Sequence, residues 1–146
     1  MNPRVRQGAW PWRGPSLADG VFIVRLGLIL DTLGWAVTLA LPGKTFTLSH
    51  SYDWMARLLP EDCWAALFLL EGLACVGGLF RGPGLWRSLA PVGAAALYGL
   101  VVVSAAQVRP PSTAVIAYFV VMLQAYWLVW MEGRMRKATL SGPQAG

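Results

Sequence analysis

Four long apolar stretches constrain the fold of this chain more than any other feature. They cover residues 20–41, 62–80, 85–106 and 112–131. A helix needs about 20 apolar residues to cross the roughly 30 Å hydrocarbon core of a bilayer, whereas membrane β-strands would give short alternating segments. The sequence therefore predicts an all-α polytopic membrane protein, folded as an antiparallel bundle of four transmembrane helices.

Composition agrees with this class. The chain has 146 residues, of which 56% are hydrophobic and 13% are charged, and a soluble domain of this size would have to expose much of that apolar surface. The first apolar run is longer than the core of a signal peptide and lacks a clear cleavage site, so it is retained as a span. With no internal repeat, we predict one membrane domain over residues 1–146, with tails at 1–19 and 132–146.

The only long connection lies between the first two spans. It opens with a Pro-Gly break and contains SHSYDWMARLLP. Ser49 is a candidate N-cap, and Pro60 ends the segment. We therefore predict a short amphipathic helix at 50–59, lying on the membrane surface. Its apolar residues recur at helical spacing: Tyr52, Met55, Leu58 and Leu59.

Basic residues are unevenly distributed between the two predicted faces of the bundle. Eight of the twelve lie in the tails and the connection between the second and third spans, three lie on the other face, and Arg25 lies within a span. The positive-inside rule then predicts cytoplasmic termini and an external long loop. Since this asymmetry explains the net charge of +5, no nucleic-acid partner is expected. Interfacial tryptophans are predicted to contact the lipid bilayer, namely Trp54 and Trp64 outside and Trp86, Trp127 and Trp130 inside.

Three polar side chains fall near the middle of predicted spans. They are Asp31 in the first span, Glu71 in the second and Gln124 in the fourth. A charge at the helix centre costs roughly 2.5 to 3.5 kcal/mol, so we expect all three to face the bundle interior at similar depth. Asp31 and Glu71 could form a proton or ion relay, or a hydrogen-bonded contact that fixes the helix register. The absence of polar groups leading to either surface favours the second interpretation.

Arg25 is a cation well inside the first predicted span. It lies six residues before Asp31, about 9 Å nearer the termini by helical rise, at the depth of Gly77 and Gly78 on the antiparallel second helix. Two placements remain open for its side chain. It could lean inward toward Glu71 or Asp31, or extend outward to the lipid headgroups.

Motifs for known chemistries are missing from the sequence. His50 is the single histidine, so a bis-histidine haem within the chain is excluded. No Walker, dinucleotide-binding, HExxH or CxxC motif occurs. Cys63 and Cys75 are separated by about 18 Å along one predicted helix, too far to pair. We therefore predict no enzymatic activity, metal site or cofactor.

Two resemblances to known families can be stated from short motifs. The stretch LPGKTFTLSHSYDWMARLLPEDCWAALFLLEG, together with RPPSTAVIAY, resembles a group of uncharacterised small four-span membrane proteins of tailed phages and prophages. This resemblance covers most of residues 23–130 and implies a location in the bacterial inner membrane. RLGL in the first span and LLEGLACVGGLFR in the second are similar to DoxX-like four-helix membrane proteins, which implies a membrane redox partner.

Two classes of function follow as hypotheses. The first is a non-enzymatic phage or prophage protein in the host inner membrane, acting either as a holin-like assembly or in superinfection exclusion. Its partners would be copies of itself or other membrane proteins. The second is a small transporter, channel or redox-complex subunit that uses Asp31 and Glu71.

Overall fold

A computed structural model of the protein describes residues 17–42, 45–48, 50–80, 85–107 and 114–140. Helix α1 (Leu17–Ala40) is followed by two short helices, α2 (Thr45–Leu48) and α3 (Asp53–Leu58), with a 3₁₀ turn at His50–Tyr52 between them. Three long helices complete the described chain, α4 (Glu61–Phe80), α5 (Leu85–Ala106) and α6 (Ala114–Leu140). No strand occurs in these ranges.

The four long helices contain segments that are long and apolar enough to cross a membrane. These segments are Gly20–Ala40, Glu61–Phe80, Leu89–Ala106 and Ala114–Met135. The predicted all-α architecture with four membrane-spanning helices is thus confirmed. Helix α6 extends beyond the predicted span, and residues 132–140 of the predicted tail are helical. The segment carries good helix formers and ends with Lys137 in its last turn, where a cation is favourable.

The long helices form a ring in the order α1, α4, α5, α6. The α1–α4 and α5–α6 pairs make the most extensive contacts, and α4–α5 and α1–α6 close the ring. The described residues between α1 and α4 cover one end of the bundle, called the loop end here, and the opposite end is called the termini end. Arg25 in the first half of α1 meets Gly78 near the end of α4, so these neighbours run antiparallel.

Glycines at the helix contacts allow the helices of the bundle to approach closely. A Cβ atom added to Gly72 of α4 would overlap the side chain of Leu33 on α1. A Cβ atom on Gly93 of α5 would overlap the Glu71 carboxylate on α4. Small residues at helix contacts are the usual means of packing in membranes, where dispersion replaces the hydrophobic effect as the main attraction.

Large apolar side chains cover the outer surface of the bundle. Examples are Ile23 on α1, Leu70 on α4, Val103 on α5 and Ile116 on α6, all of which are exposed. In water such a surface would be a liability. It is the surface expected of helices that contact lipid on their outer side.

The loop end is covered by α3 and the turn before it. Met55 of α3 is fully buried, and its carbonyl accepts a hydrogen bond of 3.0 Å from the Trp64 indole on α4. The Ser104 hydroxyl of α5 donates to the carbonyl of Ser51 at 2.7 Å. The predicted short helix therefore exists, but it packs Met55 onto the bundle rather than into lipid. The proposed N-cap, Ser49, lies outside the described residues.

Candidate functional site

A buried ion pair joins the first and last long helices at the termini end. Arg25 of α1 is 3% exposed and Glu132 of α6 is 6% exposed, and the guanidinium forms a salt bridge with the carboxylate. The same Glu132 oxygen is also 3.4 Å from Nε of Arg87 on α5. Three helices are therefore connected by two cations and one anion.

Pro91 explains a further contact of this network. A proline inside a helix has no N–H, so the carbonyl four residues earlier loses its intrahelical donor. In α5 the proline is Pro91, and the carbonyl left without a donor is that of Arg87. Nη2 of Arg25 lies 3.4 Å from this carbonyl oxygen and donates to it. The Arg25 side chain thus compensates for an interruption in a neighbouring helix.

The Arg25 side chain fits because α4 has a glycine beside it. A Cβ atom on Gly78 would lie only 2.9 Å from Nη1 of Arg25, and the predicted gap at this position is present. The enclosed gap lined by Arg25, Leu28, Cys75, Ala90, Pro91 and Leu128 has no space for a water molecule. Within the described residues, Nε of Arg25 and Oε2 of Glu132 have no hydrogen-bond partner. The Arg25 side of the network therefore has no room for water, while the Arg87 side chain is partly exposed.

Arg25 points inward, as the first of its two predicted placements had it, but its partner is Glu132 rather than Glu71 or Asp31. The second placement, outward to the lipid headgroups, was wrong. The physical reason is the position of Glu132, whose carboxylate lies at the same end of the bundle on α6. Two residues of this network, Glu132 and Arg87, were therefore not identified from the sequence. The missed signal was the spacing of Glu132 from Ala125 and Leu128, which places all three on the buried face of α6.

Glu71 occupies the contact between α4 and α5. Its side chain is half-buried, and its carboxylate lies directly against Gly93, where no Cβ would fit. The thiol of Cys75, one turn further along α4, donates to Oε1 at 3.5 Å. These contacts are local to the α4–α5 contact, so the arrangement fixes how the two helices pack.

Asp31 lies on the outer surface of the bundle. The prediction that it faces the interior beside Glu71 was therefore wrong. Each helical residue turns by about 100°, so the separation of six positions from Arg25 to Asp31 rotates the side chain by about 240°. When Arg25 points inward, Asp31 must point elsewhere, and a relay built on Asp31 and Glu71 loses its basis.

Gln124 lies apart from the other polar groups. It is half-buried and lines an open groove between α1 and α6 together with Val24, Val120, Leu123 and Trp127. The four residues predicted as one intramembrane polar cluster therefore occupy four different environments. Arg25 is in the ion network, Glu71 is between α4 and α5, Gln124 is in the α1–α6 groove and Asp31 is on the surface.

Aromatic side chains fill the bundle between its middle and the loop end. The Trp35 ring stacks on Phe68 with centroids 5.6 Å apart and also contacts Tyr52 and Tyr118. Phe68 makes an edge contact with Tyr98 at 5.8 Å. The Tyr52 and Tyr118 hydroxyls lie 3.1 Å apart, within hydrogen-bonding distance. Contacts between rings of this kind stabilise a rigid core.

The predicted interfacial tryptophans differ in their surroundings. Trp64 is 1% exposed and belongs to the core, because its indole N–H binds the Met55 carbonyl. Trp54 and Trp127 are half-buried. Trp130 is exposed, and the Arg134 guanidinium lies 4.8 Å from its ring centroid. The side chain of Trp86 lies outside the described part.

Comparisons with known proteins gave no match. No family model, curated protein or solved structure matches the chain. The resemblances to phage proteins and to DoxX-like proteins therefore stay predictions. Among the described residues, no group of three or more His, Cys, Asp or Glu side chains could hold a metal ion.

Proposed function

We propose that the chain is a non-enzymatic phage or prophage protein that acts in the bacterial inner membrane by assembling into oligomers, as a holin does. The observation that carries this proposal is the location of the Asp31 carboxyl group. It lies in the middle of a membrane-spanning segment and on the outer surface of the bundle.

The packing of the interior supports a role for the outer surface. Rings of Trp35, Phe68 and Tyr98 fill the bundle toward the loop end, and the Arg25–Glu132 network at the termini end has no space for water beside it. Side chains thus occupy the interior both around Phe68 and beside Arg25. Permeabilisation would then require a path between copies.

The energetic cost of Asp31 supports assembly. A carboxylate at the centre of a membrane helix costs roughly 2.5 to 3.5 kcal/mol on insertion scales. Neighbours within the chain reduce this cost for Arg25 by pairing it with Glu132. For Asp31 no contact within the described part of the bundle supplies such a partner. Protonation of the carboxyl group or a partner outside the bundle can lower its cost, and an assembling membrane protein provides such a partner. The phage origin is supported by the resemblance of residues 41–72 and 109–118 to small phage membrane proteins.

Inducible expression in a bacterium tests the proposal. Membrane potential and dye entry are followed while the amount of protein in the membrane is measured. We expect abrupt permeabilisation after a delay, once the protein passes a threshold concentration. Asp53→Asn is the matched control, because it removes a carboxylate that is exposed in the loop region and should not change the delay.

Two other outcomes would contradict a holin-like role. Normal growth combined with resistance to infecting phages would point to superinfection exclusion. Normal growth with ordinary infection would contradict both forms of the proposal.

A further inference from the structure

One face of α1 carries a regular pattern that the bundle does not use. It consists of Gly20, Gly27, Asp31, Gly34 and Thr38, called the α1 seam here. The glycines recur every seven residues, and Asp31 and Thr38 each follow a glycine by four. Spacings of three and four residues place side chains on one stripe of a helix, as in the contact between two helices that cross at a shallow angle.

The glycines of the α1 seam have open space above them. A Cβ atom added to Gly20, Gly27 or Gly34 would meet nothing within 4 Å. By contrast, Gly72 and Gly93 lie directly under side chains of neighbouring helices. The chain thus uses glycines for close helix contacts inside the bundle, and it presents three more on a surface without such a contact.

Asp31 is a second and independent feature of this face. Its carboxyl group is exposed and forms no hydrogen bond or ion pair with the described residues. Polar groups inside a bilayer are expected to find partners. The Asp side chain is short, so a short-chain partner can reach it only if the two backbones approach closely. Gly27 and Gly34, one turn before and after Asp31, allow such an approach.

We propose that the α1 seam binds the α1 seam of a second copy of this chain. This inference rests on the proposed function and names the surface through which the assembly forms. In a two-fold contact between parallel α1 helices, each residue faces its own counterpart. The two Asp31 carboxyl groups then share one proton, with an O–H of one donating to the oxygen of the other in a charge-assisted hydrogen bond.

Side-chain length favours a second copy over a basic helix of another protein. A lysine or arginine on a foreign helix would reach Asp31 from a distance and would not need glycines beside it. Two aspartates need the close approach that these glycines permit. The α1 seam itself supplies both the short acidic group and the glycines.

Disulfide cross-linking in membranes tests the geometry. The exposed thiol of Cys63 is first replaced by serine, while buried Cys75 stays. Thr38→Cys then places a thiol on the α1 seam, and Val37→Cys is the matched control, since both positions are exposed at nearly the same depth. They are about 100° apart around the helix. We expect oxidised dimers with Thr38→Cys and few with Val37→Cys.

Self-association in liposomes tests the energetics. The dissociation constant is measured by energy transfer between labelled copies over a range of protein-to-lipid ratios. Asp31→Leu should weaken association by roughly three- to thirty-fold, the range for polar contacts between membrane helices, and Asp31→Asn should retain most of it. Gly34→Leu should also weaken association. Gly77→Leu is its control, because the space above Gly77 on α4 is also open.

The outcomes separate the α1 seam from the proposed function. Equal cross-linking at both cysteine positions, or association unaffected by Asp31→Leu and Gly34→Leu, would overturn the seam. The permeabilisation assay would still judge the function in that case. If the protein associates only with added lysine-containing helices and not with itself, the seam-to-seam contact is overturned in favour of a basic helix of another protein. A seam that cross-links as expected in a protein that never permeabilises membranes would instead reject the holin-like role.

Discussion

Removing the charge of Glu132 should destabilise the bundle more than removing any exposed carboxylate. In Glu132→Gln the side chain keeps its size and one oxygen acceptor, but it can no longer neutralise Arg25. Both members of this pair are about 95% buried, with side-chain exposures of 4% and 5%. Arg25 would keep one long hydrogen bond to the Arg87 carbonyl, at 3.4 Å.

The magnitude follows from the cost of an unpaired buried charge. Breaking a buried ion pair by removing one partner costs about 3 to 5 kcal/mol. Two features reduce this cost. The amide oxygen at residue 132 still accepts a hydrogen bond from Arg25, and the Arg25 side chain can shift toward the nearby end of the span. We therefore expect a loss of about 3 kcal/mol in the free energy of unfolding. Replacing both partners, as in Arg25→Met with Glu132→Met, should recover part of this loss. A deficit of about 1 kcal/mol or more should remain, because the Arg87 carbonyl loses the Arg25 donor.

Reversible unfolding in bicelles or mixed micelles measures these differences. Asp53→Asn is the matched carboxyl-to-amide control, since the contact of His50 with Asp53 is exposed and should contribute less than about 1 kcal/mol. The cycle of single and double variants isolates the coupling between Arg25 and Glu132. Equal effects of Glu132→Gln and Asp53→Asn, or a double variant as unstable as the single one, would refute the ion-pair argument.

Three further changes probe other contacts by the same unfolding measurement. Gly93→Ala should lower the free energy of unfolding by about 1 to 3 kcal/mol through overpacking. Gly77→Ala is the control and should not lower it, because the space above Gly77 is open. Equal losses in the two variants would contradict the α4–α5 contact. Trp64→Phe should lower the free energy of unfolding by about 1 to 2 kcal/mol, because it removes the indole donor to α3. An unchanged free energy of unfolding would argue against that hydrogen bond. Tyr52→Phe and Tyr118→Phe should each lower the free energy of unfolding by about 1 kcal/mol. Because the two hydroxyls interact, the double variant should lose little more than either single variant; additive losses would contradict the interaction.

The membrane-spanning helices could be predicted from the sequence because the hydrocarbon thickness sets their length. Each span is a nearly uninterrupted apolar run, and the four predicted spans lie within a few residues of those found. The short helix could be predicted from the helical spacing of its apolar residues. Its packing was not, because the apolar residues Tyr52 and Met55 suit a lipid surface and a bundle end equally well. Only the positions of α4 and α5 decide between these environments.

The polar groups could be placed by depth but not by direction. Depth follows from counting residues along a span, and Arg25 does lie beside Gly78 as predicted. Direction depends on which side of α1 faces α4 and α6, and a helix that is apolar all round gives little indication of its buried side. Helical periodicity alone could have excluded a shared face for Arg25 and Asp31, and applying it would have corrected the predicted cluster.

Two charged residues of α1 thus meet the same bilayer in different ways. Arg25 is paired within the chain, through Glu132 and the carbonyl that Pro91 leaves free, and the bundle closes around it. Asp31, less than two turns away, is presented to the surroundings with glycines on either side. If exposure of Asp31 to lipid were the working state, replacing it with leucine would only improve insertion and leave activity intact. If assembly is the working state, the same change should improve insertion but weaken association and raise the protein concentration needed for permeabilisation. These different outcomes for one variant distinguish the two cases.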